Sequence, residues 1–188
     1  MEFQSTELYG GAIKVDLPKN FIDASHLRDI PDHEELFIDA EGFTSIIIDI
    51  TEHVAMPTES EAMETHLQDV VEEDRPATEV ARLRQAPFAK LPNTMASMLI
   101  ASTPPSERHH GRPNAPDVVG MVMIRATLAE QNSDVVITIN VPHVPGYYNR
   151  EEVDIQNGRY GTLMEQAIEC RDRILATFEV VDWNLFNG

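Results

Sequence analysis

The chain is poor in positive charge. Its 188 residues carry 14 Lys and Arg against 32 Asp and Glu, for a formal net charge of −18 and a sequence pI near 4.6. Nucleic acid and anionic membrane surfaces are both bound by clustered Lys and Arg. The densest basic stretches here are only ARLR at 81–84 and ERHHGR at 107–112, so neither partner is expected. Cysteine is also scarce: Cys170 stands alone, which excludes an intrachain disulfide and fits a reducing compartment such as cytosol or nucleus. No apolar tract approaches the roughly 20 residues that span a bilayer. The opening MEFQSTELYGG lacks the basic-then-apolar pattern of a secretory signal, so no leader is expected.

Catalytic and cofactor motifs are missing too. GxxxxGK[ST] and GxGxxG do not occur, and the Gly10-Gly11 pair opens no helical pattern, so no nucleotide site is expected. There is no GxSxG elbow, and Cys170 falls in a helical pattern as a small buried or edge residue. His109 and His110 are adjacent in a Pro-rich stretch and offer none of the spacings by which ligands converge on a metal. No metal or other cofactor is expected.

What remains is a core-forming chain, 42% hydrophobic, with no repeat and no linker long enough to divide it, so one domain over 1–188 is expected. The N-terminal third reads as strands and turns. ELYGGAIKVDLP is an apolar strand broken at Gly10 and Gly11 and closed by Pro18. In FIDASHLRDIPDHEELF, Ser25 can cap a short turn through Leu27 and Arg28, Pro31 bars Ile30 from helical geometry, and alternation resumes at Leu36 and Ile38. Gly42 turns the chain into SIIIDITE (45–52), a β-branched run of the kind found in buried strands, yet interrupted by Asp49 and followed by Glu52.

The period then changes. Thr58 with Glu61 forms a capping box, and Met63, Leu67, Val70 and Val71 share one face of a helix ending near Arg75-Pro76. TMASMLIAST (94–103), VVGMVMIRATLA (118–129) and DVVITINVP (134–142) read as strands, the last two joined by EQNS as a hairpin. The Pro-rich, charged 103–117 reads as a mobile loop and 144–158 as another loop. A second helix follows with Leu163, Ala167, Ile168, Ile174 and Leu175 inward and Cys170 and Arg171 at its edge, before a short apolar tail, EVVDWNLF. Continuously apolar strands imply a sheet covered on both faces. The fold class is therefore α+β, an α/β/α sandwich around a largely antiparallel sheet.

Seven of these segments, ELYGGAI, FIDASHLRDIPDHEELF, SIIIDITE, HLQDV, VVGMVMIRATL, DVVITINVP and FEVVDWNLF, resemble in content and order the Ran guanine nucleotide release factors, the Mog-type Ran-binding proteins of nuclear import. They cover about half the chain; 77–93, 103–117 and 144–158 do not carry the resemblance. The resemblance implies an α/β/α sandwich like that of PsbP-type photosystem proteins, binding of the small GTPase Ran, release of its nucleotide without covalent chemistry, a monomer, and residence in nucleus and cytoplasm. By position it also implies a partner-binding surface built from Asp49 and Glu52 together with Asp23, Asp32 and Glu35.

Two physical questions attach to that surface. Residues three apart on a regular strand point to opposite faces, so Asp49 and Glu52 share a surface only if the strand ends, twists or bulges near Ile50. A structural role is the alternative for Asp49, as the partner of Arg125 on the otherwise apolar MVMIRATL strand. Two other functions compete with the release factor. One is an acid–base enzyme using Asp49, Glu52 and His66, with Asp69 orienting the imidazole; the other is a passive acidic scaffold.

Overall fold

A computed structural model describes residues 1–25, 31–105 and 113–187. The chain opens with strands β1 (Phe3–Leu8), β2 (Ile13–Pro18), β3 (Phe21–Asp23), β4 (Glu34–Asp39) and β5 (Ser45–Glu52). Helix α1 (Glu59–Val71) leads to β6 (Glu79–Pro87), β7 (Met95–Thr103), β8 (Val118–Leu128) and β9 (Ser133–His143), and the chain closes with α2 (Gly161–Thr177) and β10 (Glu179–Val180). The strands form a seven-stranded sheet of order β3-β4-β5-β9-β8-β7-β6 and a three-stranded sheet of order β1-β2-β10. Every pairing in both is antiparallel. The expected α/β/α arrangement is present, with the small sheet sharing one outer layer with α2. No helix among the described residues is long and apolar enough to cross a membrane.

Within the large sheet, sequence neighbours pair everywhere except at one seam, where β5 meets β9 from Ser45↔Asn140 to Glu52↔Ser133. The period-2 rule then sorts the side chains. Ile46 and Ile48 join Val122, Ile124, Ile137 and Ile139 on one face, packed with Leu8, Ile13, Val15 and Leu17 of the small sheet and Met164, Ala167 and Ile174 of α2. On the opposite face Leu99, Met121, Met123 and Val136 receive Met63, Leu67 and Val71 of α1. Gly120 allows α2 its close approach, since a Cβ there would collide with the sulfur of Met164.

α1 starts as its capping box dictates: Thr58 Oγ1 accepts the Glu61 N–H at 3.3 Å and donates to the Glu61 carboxylate at 2.8 Å. Such a cap stabilises a helix by about 1 kcal/mol. The α-helix ends at Val71 rather than near Pro76, and a 310 turn carries the chain through Glu72–Ala77. Val70 departs from the expected apolar face. It shares an azimuth with Met63 but overhangs a part of the sheet that α1 does not cover, and it stays 39% exposed. Cys170 departs in the other direction: it lies in the buried stripe of α2 with Met164, Ala167 and Ile174, and burial pushes its thiol up to about 12. Such a thiol is not a nucleophile at neutral pH.

Two further differences, in β4 and β6, have local causes. Leu36 and Ile38 are the half-buried side of β4, while Phe37 between them enters the core. Ser25 Oγ accepts the Leu36 N–H at 3.0 Å; its expected turn through Leu27 and Arg28 lies outside the described residues, as do His109 and His110. β6 was not foreseen, because its residues are mostly exposed on both faces and carry no apolar period. The expected mobile loop falls largely on 106–112, also outside the described residues.

Candidate functional site

The face of the large sheet that carries α1 is only half covered. α1 lies over β7, β8 and β9, leaving β3, β4 and β5 with no helix above them among the described residues. In-register pairs put Ile22 beside Ile38, Leu36 beside Ile47, and Glu34 beside Asp49 on this open face. Ile22 is 48% exposed, and Leu36, Ile38 and Ile47 are half-buried. Where the open face meets α1, a cavity of about 240 Å3 is lined by Glu34, Ile47, Asp49, Asp69, Val70, Val136 and Thr138. An apolar floor therefore carries three carboxylates.

Asp49 is the strained member of the three. Its Oδ1 is buried without a hydrogen-bond partner, and the basic side chain beside it is the exposed His33, whose Nε2 lies 3.7 Å away. Burial pushes its carboxyl above the usual range, against the opposing pull of His33 and, more weakly, His66. Glu34 is pushed up as well, first by burial and then by the charge of Asp49. Two carboxylates held side by side and short of donors favour any cation that can reach them.

The expected pairing of Asp49 with Arg125 does not occur. The two project from the same face but Val136 separates them, since Arg125 and Asp49 both pair in register with it from opposite sides. Arg125, 1% exposed, instead donates from Nε to Asp134 Oδ2 at 2.9 Å and from Nη1 to Glu59 Oε2 at 3.0 Å. Asp134 is fully buried and also receives the Val54 N–H at 2.9 Å, while His66 Nε2 and His53 Nδ1 each approach it to 3.0 Å. Burial would raise its pKa, but these hydrogen bonds outweigh it and hold the carboxyl well below the usual range. The hairpin contained the signal. With Leu128 opposite Ser133, Asp134 lies diagonally across from Arg125 on the same face.

The same geometry undoes the acid–base constellation. His66 is buried against Asp134, not oriented by Asp69. β5 keeps its register with β9 through Glu52, with neither bulge nor slip, so Glu52 points away from the face that holds Asp49. Asp49, Glu52 and His66 do not converge on one site.

Of the remaining expected residues only Asp32 lies beside Asp49; Asp23 pairs with Phe37, which pairs with Ile46, so it sits toward the start of β5 and on the face away from Asp49. Asp23 ends β3 and accepts the Ser25 N–H at 2.8 Å; Asp32 is exposed in the turn entering β4. Glu35 lies on the opposite face of β4 from Glu34, and its carboxylate accepts the Tyr9 N–H at 2.5 Å. That contact holds the β1–β2 turn, where Tyr9, Gly10 and Gly11 all adopt positive φ of 49°, 65° and 93°. The Tyr9 hydroxyl reaches the carbonyls of His33 at 3.0 Å and Ile48 at 2.9 Å. The LYGG segment thus anchors the small sheet beneath the acidic end of the large one. Glu34 and Tyr9 were not singled out from the sequence. Among the described residues, no cluster of three or more His, Cys, Asp or Glu could hold a metal ion.

The site is thus a cleft with an apolar floor and three carboxylates on an α/β/α sandwich, and the comparisons with known proteins give its class. The family described as "Ran-interacting Mog1 protein" matches residues 6–142. The probable Ran guanine nucleotide release factor of Dictyostelium discoideum is 27% identical over 191 residues, covering 98% of this chain and 96% of its own. The nuclear import protein MOG1 of Saccharomyces cerevisiae is 30% identical over 199 residues, covering 99% and 86%. The crystal structure of the Saccharomyces cerevisiae Ran-binding protein Mog1p superposes with a TM-score of 0.75 at 26% identity, over 99% of each chain. The chain belongs to the Mog1 family.

Proposed function

We propose that this chain binds Ran and promotes release of its bound guanine nucleotide in support of nuclear protein import. The carrying observation is that a relative named a probable Ran guanine nucleotide release factor and another named a nuclear import protein align with nearly the whole of it. The chain acts as one domain, a monomer with no covalent chemistry and no nucleic-acid or membrane partner, in nucleus and cytoplasm. Its contact surface centres on Asp49 with Asp32 beside it, and Asp23 and Glu52, whose side chains leave their strands on the other face, add negative charge at longer range. Glu35 contributes from behind, by holding Tyr9. The unpartnered oxygen of Asp49 supports this reading, because a lysine or arginine of the partner would relieve both it and Glu34.

A partner displaces a ligand only by binding the ligand-free or loosened state more tightly, and shifting an equilibrium from 1:99 to 99:1 takes about 5.5 kcal/mol of differential affinity. GTPases of this type hold phosphate with a lysine and Mg2+. A carboxylate brought near that site would compete for the lysine and repel the phosphate charge. The test is release of a fluorescent guanine nucleotide from Ran with and without the protein, paired with complex formation at rising free nucleotide. Faster release and nucleotide-driven dissociation are expected together, because linkage makes the couplings equal. Tight binding with unchanged release would leave only a Ran-binding role.

A further inference from the structure

The charge deficit of this chain makes its unpaired cations conspicuous. Among the described residues, every Lys and Arg side chain lies within 4.0 Å of a carboxylate except Arg82 and Arg84. Both are exposed on β6, the last strand of the large sheet, which pairs with β7 on one side and with no described strand on the other. They pair in register with Ile100 and Met98, so the two guanidinium groups project from the same face. Beside them Val80 and Leu83 are exposed by 41% and 40%. The turn Ile155–Asn157 covers only the beginning of the strand, where Gln156 Nε2 donates to the Glu79 carbonyl at 3.1 Å.

From these observations we infer that β6 is a docking edge for an extended acidic segment of a partner protein, added as an eighth strand with carboxylates on alternate residues facing Arg82 and Arg84. An open edge offers a row of N–H and C=O groups that a peptide strand can pair with, and alternate side chains then confer selectivity. Two arginines spaced by a single residue match carboxylates at the same spacing on an added strand. A second copy of this chain is a poor occupant. Antiparallel self-pairing centred on Leu83 would set Arg82 of one copy against Arg84 of the other, and like charges directly opposite are destabilising. The net charge of −18 opposes the approach of any acidic segment, so the affinity is short-ranged and weak, with Kd of about 0.1–1 mM for an isolated peptide. This edge lies at the far side of the sheet from Asp49, and its failure would leave the Ran reading untouched.

The test uses the full chain and two short synthetic peptides, one alternating Glu with Val and one alternating Lys with Val, followed by amide NMR. The Glu peptide should shift β6 amides and slow their hydrogen exchange, and the Lys peptide should do neither. The double variant Arg82→Glu, Arg84→Glu should lose at least about tenfold in affinity for the Glu peptide and gain binding of the Lys peptide. Because both positions are exposed, the fold should survive, which the unchanged remainder of the spectrum checks. The inference is overturned if the Glu peptide fails to bind, if it binds away from β6, or if charge reversal leaves its affinity unchanged. It is also overturned if reversal only makes the protein self-associate, since the arginines would then serve solely to protect the edge.

Discussion

Asp134 and Asp49 project from adjacent strands onto the same face of the same sheet, and their surroundings differ completely. Asp134 collects donors from β8, α1 and the segment after β5, and it is held ionised at full burial. Asp49, one strand over and beyond the cover of α1, keeps an unpartnered oxygen and has Glu34 for a neighbour. The fold therefore supplies donors where a carboxylate must hold elements together and withholds them where the sheet opens to the outside. Two carboxylates on one face of one sheet thus differ chiefly in the donors that reach them.

The sharpest way to break the comparison is to remove the main donor. Arg125→Met should destabilise the protein by about 3–5 kcal/mol, because it leaves a buried charge underpaired. The loss would be read as a fall in the urea midpoint and a drop in Tm of roughly 10 °C. A loss below about 1 kcal/mol would mean that the histidines and Val54 suffice without it.

Asp49→Lys should act on the partner instead. Glu34 and Asp69 line the same cavity and can receive the ammonium, so folding should hold within about 1 kcal/mol. The rate of nucleotide release from Ran should fall at least about tenfold, since attraction becomes repulsion. Normal release by the folded variant would remove Asp49 from the site.

The two carboxylates should also give opposite pH slopes. Asp49 and Glu34 have folded pKa values above their unfolded ones, so the folded state binds more protons and stability rises as pH falls through the raised values. Asp134 is depressed, so its contribution is complete above the ordinary carboxylate pKa and is lost as pH falls from there toward its folded value. Urea midpoints against pH should rise as pH falls toward the ordinary carboxylate pKa, pass through a maximum near it and fall below it. In the Asp49→Asn, Glu34→Gln double variant the rise should flatten while the acid-side fall persists; an unchanged rise would assign it to other groups.

The smallest effect belongs to Glu52→Lys. Its side chain is exposed at the end of β5, so stability should stay within about 0.5 kcal/mol of the parent. Release should fall by less than about threefold, a long-range charge effect only. A loss as large as that of Asp49→Lys would show that the contact wraps around the strand end to both faces.

The elements with a clear period were legible in the sequence: the capping box of α1, the apolar runs of β5 and β7, and the β8–β9 hairpin. What stayed hidden depends on juxtaposition. β6 has no apolar face to announce it, and the small sheet needs β10 to return from the far end of the chain to β2. Asp49 was legible as a carboxylate out of place on an apolar strand, but its true neighbour, Glu34, appears only once β4 and β5 are in register. Arg125 was rightly read as needing an acid. Asp134 was overlooked because the register of the hairpin was not carried across from Ser133.

The β5–β9 seam has a consequence for modularity. One half of the large sheet comes from residues before α1 and the other from residues after it, and each half is a meander of sequence neighbours. Asp49 and Glu34 come from the first half; α1, with Asp69 and Val70, lies between the two; Val136 and Thr138 come from the second. Neither half contains the cleft, and no excised fragment can carry it. The surface exists only after residues about 90 positions apart have closed across a loop whose entropy grows with its length, so recognition at the site proposed above is a property of the completed fold.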